Sequence, residues 1–200
     1  EVKMSEPKIA YREAIRKPVT IESKYKKQSG GHGQYGHVKI EFEPYDGDEL
    51  MFCEKVFGGA VPKNFFPAVE KGLQEAAEHG SIGGFPVVRL KATLIDGSYH
   101  PVDSSEMAFK TAASMAFKDC MKEAQPYLLE PVDSLKILLP DDKQGDVMSV
   151  LSKRRGSVLG MNSVGGGMTE LLAEAPEAEL GDFALTLRQI TQGLGEFTSE

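Results

Sequence analysis

The chain has 200 residues, 40% of them apolar and 26% charged, a composition of ordinary globular proteins with one large or two small domains. No apolar run approaches the roughly 20 residues that a membrane-spanning helix needs, no signal-peptide pattern is present, and Cys53 and Cys120 form neither a disulfide framework nor a C-x-x-C pair, so a reduced, cytoplasmic setting without a membrane partner is expected. The net charge of −7 is unevenly spread, since residues 1–40 hold nine Lys or Arg against four Glu, giving +5 there and −12 over the other 160 residues, which keeps a nucleic-acid partner in view.

In chain order, the opening EVKMSEPKIAYR offers no partner element, and residues 1–14 read as the tail of a preceding domain or a linker. A strand over about 19–27 follows, then the glycine run SGGHGQYG, then a strand in which Val38, Ile40 and Phe42 alternate with Lys39, Glu41 and Glu43. The two strands read as a hairpin with an unusually long tip. A third strand spans about 50–57. Asn64 and Pro67 open a helix with Val69, Leu73, Ala76 and Ala77 on one face, and Gly80 stands where a C-terminal cap belongs. The strand 86–95, containing VVRLKATLI, is bounded by Gly83-Gly84 and Asp96-Gly97 and completes a β-α-β unit. Loop 96–103 leads into a helix over 104–124, with Phe109, Ala113, Ala116, Phe117 and Cys120 on one stripe and Asp103 with Glu106 as the capping pair. QPYLLEPVD, residues 125–133, holds two prolines and reads as a hinge between domains.

Beyond the hinge the spacing predicts a strand at 135–139, a helix at 145–155, strands at 157–163 and 168–175, a helix at 179–191 and a strand at 194–199. That order, β-α-β-β-α-β, is ferredoxin-like. The fold class expected is therefore α+β in two domains, 15–130 and 131–200.

Gly31, Gly33 and Gly36 spell G-x-G-x-x-G, but the phosphate-binding use of that pattern needs a helix to follow, and here a strand does. G-x-x-x-x-G-K-[ST] is absent. His32, His37, His79 and His100 show no i, i+4 helical pair and no accompanying Cys, so they are read as loop and surface residues rather than metal ligands. His100, Asp103 and Ser104 suggest a hydrolytic triad only by residue type. Five consecutive residues entering a helix rarely place an imidazole between nucleophile and carboxylate, and a cap is the simpler use of Asp103. Two small, polar loops each set a His beside a Tyr, His32 with Tyr35 and Tyr99 with His100. Such loops suit RNA, where Tyr and His stack on unpaired bases, glycine backbone approaches phosphate and lysines add sequence-independent attraction. Ordinary turns account for the same spacing equally well. Lys153, Arg154 and Arg155 close a helix, a place where cations also suit the helix dipole.

The stretches SGGHGQYGHV, VFGGAVPKNFFPAVEKGLQEA, GFPVVRLKATLIDGSYHPVDSSEMAFKTAASMAFKD and LLEPV resemble the fourth domain of bacterial elongation factor G. LSKRRGSVLGM and LRQITQG resemble its fifth domain, and KIAYREAI resembles the junction out of the third. The resemblance implies a C-terminal portion of a translational GTPase, with its own C-terminal end cut short. It implies a first domain like the second domain of a small-subunit ribosomal protein, with a left-handed β-α-β crossover, followed by a ferredoxin-like domain. It implies tip loops, Gly30, Gly31, His32, Gly33, Gln34 and Tyr35 together with Ser98, Tyr99 and His100, that enter the decoding centre and meet messenger and transfer RNA. Lys153, Arg154 and Arg155 are the candidates for contact with large-subunit ribosomal RNA. The implied partners are the ribosome, ribosomal RNA, tRNA and mRNA, with a monomeric protein. No cofactor and no catalysis are implied for this part, GTP and magnesium belonging to a nucleotide-binding domain elsewhere. Three places depart from the family pattern: His32 replaces an Arg, Gln192-Gly-Leu-Gly195 replaces Q-G-R-G, and the residues around Glu177 to Asp182 differ from the common pattern. Those departures carry the alternative, a paralogue acting in ribosome recycling or protection without ordinary translocation.

Overall fold

Alternating apolar side chains do build the first sheet, with its first two strands longer and its short parallel strand, 51–54, shorter than local spacing implies. In the computed structural model, which describes residues 9–200, the first domain contains β1 (Arg12–Ile15), β2 (Val19–Ser29), β3 (His32–Pro44), β4 (Met51–Glu54), α1 (Phe66–Ala77), β5 (Leu90–Ser98), α2 (Glu106–Glu123) and β6 (Pro126–Leu129). Its main sheet runs β2-β3-β5-β4, with β4 parallel to β5 and the other neighbours antiparallel. Val38, Ile40 and Phe42 of β3 are fully buried, and the stripe foreseen on α2 is buried with them. Covering side chains of this size contributes about 1.5–3 kcal/mol each relative to exposure. Alanines at 112, 113 and 116 leave room for close approach, and Gly72 of α1 faces the backbone of Lys110 where a Cβ would lie 2.5 Å from its carbonyl oxygen.

Several boundaries are corrected by pairing that is remote in sequence. The compact units are 11–129 and 130–200, with Ile9 and Ala10 grouped with the second. Residues 11–14 are thus part of the first domain rather than a tail, since β1 pairs antiparallel with β6 and buries Ala14 and Ile15. Residues 1–8 lie outside the described residues. The same pairing turns 126–129, read as hinge, into a strand.

The glycine run is not a long loop. Gly30 and Gly31, at φ 52° and 115°, form a two-residue turn, the positive-φ geometry that tight hairpins favour, and Ser29 pairs directly with His32. The fifth strand begins later than foreseen because Arg89 adopts φ 54°, which extended backbone does not allow; it continues through Asp96-Gly97 to pair Ser98 with His37. Ser105, not Asp103, caps α2, its hydroxyl accepting the Ala108 N–H. Gly80 is not the cap of α1. It lies beside the wholly buried carboxylate of Glu13, which accepts N–H groups from Ile82, Gly83 and Phe85 at 2.8, 3.3 and 2.9 Å.

The second domain has β7 (Val132–Pro140), α3 (Gln144–Lys153), β8 (Ser157–Gly165), β9 (Met168–Pro176), α4 (Phe183–Thr191) and β10 (Glu196–Ser199). Its antiparallel sheet runs β10-β7-β9-β8, the ferredoxin-like order, with Leu135, Ile137, Leu171 and Ala173 buried beneath Val147, Leu151, Phe183 and Leu187 of the helices. Helix α4 starts four residues later than foreseen, because 177–179 form a separate 3-10 turn.

Candidate nucleic-acid interface

Strand β5 pairs with β3 only as far as His37, so residues 25–29 and 32–36 run on past the sheet as a two-stranded ribbon ending at Gly30-Gly31. The chain leaving β5 folds back along this ribbon. Tyr35 N–H donates to the Asp103 carbonyl at 2.9 Å, and the Ser104 hydroxyl donates to the Tyr35 carbonyl at 2.9 Å. Gly33 faces the Asp103 side chain, where a Cβ would lie 2.7 Å from Oδ2, a contact that the carboxylate relieves by swinging aside. Gly36 faces the first turn of α2, where a Cβ would lie 2.4 Å from the Ala108 carbonyl oxygen. Of the three glycines in the G-x-G-x-x-G spelling, one makes the turn and two permit packing.

The two loops singled out in the sequence are therefore neighbours, joined through Gly33 and Tyr35 rather than through the glycine turn. Gly30, Gly31, His32 and Gln34 are exposed at the end of the ribbon, and Tyr99 and His100 are exposed beside it, while Tyr35 and Ser98 are half-buried and bonded to one another, Tyr35 Oη to Ser98 Oγ at 2.6 Å. The rings of Tyr35 and His100 lie 6.4 Å apart, and Lys24 Nζ stands 5.3 Å over the Tyr35 ring, with Lys26 and Lys27 exposed farther out. The ribbon thus combines aromatic faces with positive charge.

His100 cannot serve as a base toward Ser104. Its Nδ1 accepts N–H groups from Val102 at 3.2 Å and Asp103 at 3.0 Å, and Asp103 Oδ2 is 3.7 Å away from that same nitrogen. Because Nδ1 is an acceptor, the ring proton sits on Nε2, on a side chain that is half exposed. The Ser104 hydroxyl is committed to Tyr35 and to the His100 N–H. The three residues form a loop brace with an outward N–H donor.

A second set, missed in the sequence, does line up: Glu22 Oε1 to His37 Nε2 at 2.6 Å and His37 Nδ1 to Ser98 Oγ at 2.7 Å. His37 reads as a surface residue from spacing alone, yet its ring is only 18% exposed. The signal that could have found it is Gly30-Gly31, because a two-residue turn puts Lys24 opposite His37 and Glu22 on the diagonal of the same face.

In the second domain the Lys153 to Arg155 cluster does not act as one patch. The Arg154 guanidinium, 17% exposed, donates to the Asp182 carboxylate, the Glu179 carbonyl and Thr186 Oγ1 and lies against the Phe183 ring. Arg155, at φ 58°, forks onto Glu130 and reaches Glu179 at 3.1 Å. The hydrogen bonds from Arg155 hold the Glu130 carboxyl below its ordinary range, and those from Arg154 do the same for Asp182. Lys153 is exposed.

Residues 7–125 match the family model for elongation factor G, domain IV, and residues 127–200 match the model for the elongation factor G C-terminus. An elongation factor G-like protein of Thermotoga maritima is 48% identical over 199 residues, covering 99% of this chain and 29% of that protein. A crystal structure of a Thermus thermophilus protein superposes with a TM-score of 0.88 at 47% identity, over 98% of this chain and 29% of that one. The chain thus spans about three-tenths of the length of these relatives.

Proposed function

The chain belongs to the elongation factor G family, and we propose that it is the ribosome- and RNA-contacting part of a translational GTPase that promotes movement of tRNA and mRNA during elongation. The ribbon tip and the Ser98-Tyr99-His100 segment enter the decoding centre and occupy the space a transfer RNA vacates, which biases that RNA forward. These domains form and break no bond, and the energy comes from GTP hydrolysis in a nucleotide-binding domain of the parent protein, with its magnesium. The protein acts as a cytoplasmic monomer on the ribosome, and its partners are ribosomal RNA, tRNA and mRNA.

The observation that carries this reading is the juxtaposition of Tyr35 on the two-stranded ribbon with the His100 ring and Lys24 Nζ, beside the exposed Tyr99. Aromatic stacking on an unpaired base is worth about 1–3 kcal/mol by alanine substitution, or roughly 5- to 150-fold in an equilibrium or a rate it limits. The test is single-turnover translocation by the full-length parent carrying His100→Ala, expected to be slower within that span. Translocation at the wild-type rate sinks the proposal. Contact with large-subunit RNA in the second domain rests on Lys153, the neighbouring arginines being engaged with carboxylates.

The second reading, a paralogue in recycling or ribosome protection, is favoured by His32 at the exposed tip and the exposed Leu194, where the family pattern has arginines. Replacing a permanent bidentate cation by imidazole weakens phosphate contact. Translocation by the unaltered parent in a purified system separates the two readings.

A further inference from the structure

The contacts running from Glu22 through His37 and Ser98 to Tyr35 form one continuous hydrogen-bonded chain. An ionised carboxylate only accepts, so His37 Nε2 carries the ring proton and donates to Glu22 across 2.6 Å. In the neutral ring Nδ1 is then a bare lone pair. Ser98 donates its hydroxyl to it across 2.7 Å, which leaves the Ser98 oxygen to accept the Tyr35 hydroxyl across 2.6 Å. With the ring neutral, this one orientation of the hydrogens satisfies a chain that crosses β2, β3 and β5. It sits where β5 stops pairing with β3 at His37 and Ser98, the point at which the Ser98-Tyr99-His100 segment leaves the sheet.

We propose that His37 is a positioning residue for the RNA-contacting tip. Its ring locks the Ser98 and Tyr35 hydroxyls and so holds the start of the 98–104 segment against the ribbon; it acts through Ser98 and does not itself touch RNA. This rests on the tip being an RNA surface. It has a chemical consequence: Tyr35 spends its proton internally and presents RNA with oxygen lone pairs, while His100 presents an Nε2–H donor.

Two substitutions split the two contacts of the ring. His37→Asn keeps an amide oxygen near the Nδ1 position, within reach of Ser98, and gives up Glu22; His37→Gln reaches Glu22 and gives up Ser98. Binding of a fluorescein-labelled RNA stem-loop to the 200-residue chain is read by anisotropy, with melting temperature as the folding control. His37→Asn is expected within about twofold of wild type, whereas His37→Gln and Ser98→Ala weaken binding about fivefold, the worth of one hydrogen bond, at unchanged melting temperature. Equal losses in the Asn and Gln variants, or none in Gln, overturn the proposal. Long-range proton–nitrogen NMR of the His37 ring is expected to show a protonated Nε2 and a bare Nδ1, and the opposite tautomer overturns it without reference to RNA. His100→Ala separates the failures. If that variant weakens binding and His37→Gln does not, the positioning role alone falls; if His100→Ala binds as wild type, the RNA reading of the tip falls and the role of His37 falls with it.

Discussion

Adding one methyl group at Gly36 drives a carbon to 2.4 Å from the Ala108 carbonyl oxygen, 2.6 Å from its carbon and 2.9 Å from the Phe109 nitrogen. All three atoms are backbone in or at the first turn of α2, so no side chain can swing aside. Relief requires α2 to lift from β3 by about 1 Å, since carbon atoms pack best at about 3.5–4.0 Å. That helix carries Phe109 and Phe117 into the core, with Phe117 edge-on to Phe42 of β3. Overpacking in a filled core costs about 1–3 kcal/mol, and a backbone collision belongs at the top of that span, so Gly36→Ala is expected to destabilise the first domain by about 3 kcal/mol. Gly33→Ala provides the contrast. The nearest atoms to its methyl are those of the Asp103 carboxylate, the end of a movable side chain, and the change is expected to cost under about 1 kcal/mol. Thermal unfolding followed by far-ultraviolet circular dichroism should show the first domain of Gly36→Ala melting at least about 10 °C lower. A glycine pair built to cradle phosphate would show no such asymmetry in stability. Melting of Gly36→Ala within about 2 °C of wild type, or equal losses for both variants, refutes the packing argument.

The buried Glu13 carboxylate satisfies three backbone N–H groups of the 82–85 segment, and Glu13→Ala is expected to cost about 3–5 kcal/mol in urea titrations by orphaning them. Burial, and then the nearby Glu123 charge, push the Cys120 thiol from 9.0 up to about 12. The unfolded chain therefore loses that proton first, and the resulting stability is complete below about pH 9 and declines at about 1.4 kcal/mol per pH unit as pH rises toward about 12. Cys120→Ala should flatten the alkaline limb of stability against pH, and an unchanged slope counts against it. RNA binding by the chain should weaken linearly in log affinity against log salt, because Lys24, Lys26 and Lys27 line the ribbon. Constant affinity between about 50 and 200 mM salt contradicts an electrostatic contribution from it.

What the amino-acid sequence determined by itself is local. Period-2 alternation at Val38, Ile40 and Phe42 marked β3, the Phe109 to Cys120 stripe marked α2, and the β-α-β-β-α-β order marked the second domain, because each is written in the spacing of side chains along one element. The motifs also carried the family, which the matches over 7–125 and 127–200 uphold. Only the tertiary structure decided what depends on partners far along the chain. Leu129 makes Arg12 a strand residue, the Ala108 carbonyl explains Gly36, and Ser98 takes His37 from surface residue to the centre of a hydrogen-bonded chain across a separation of 61 residues. Arg154 and Arg155 read as an RNA-facing cluster until Asp182, Glu179 and Glu130 are brought beside them. Periodicity records which face of an element is apolar, whereas register, ion pairing and the room for a Cβ are set where two elements meet, and no spacing within either one contains that information.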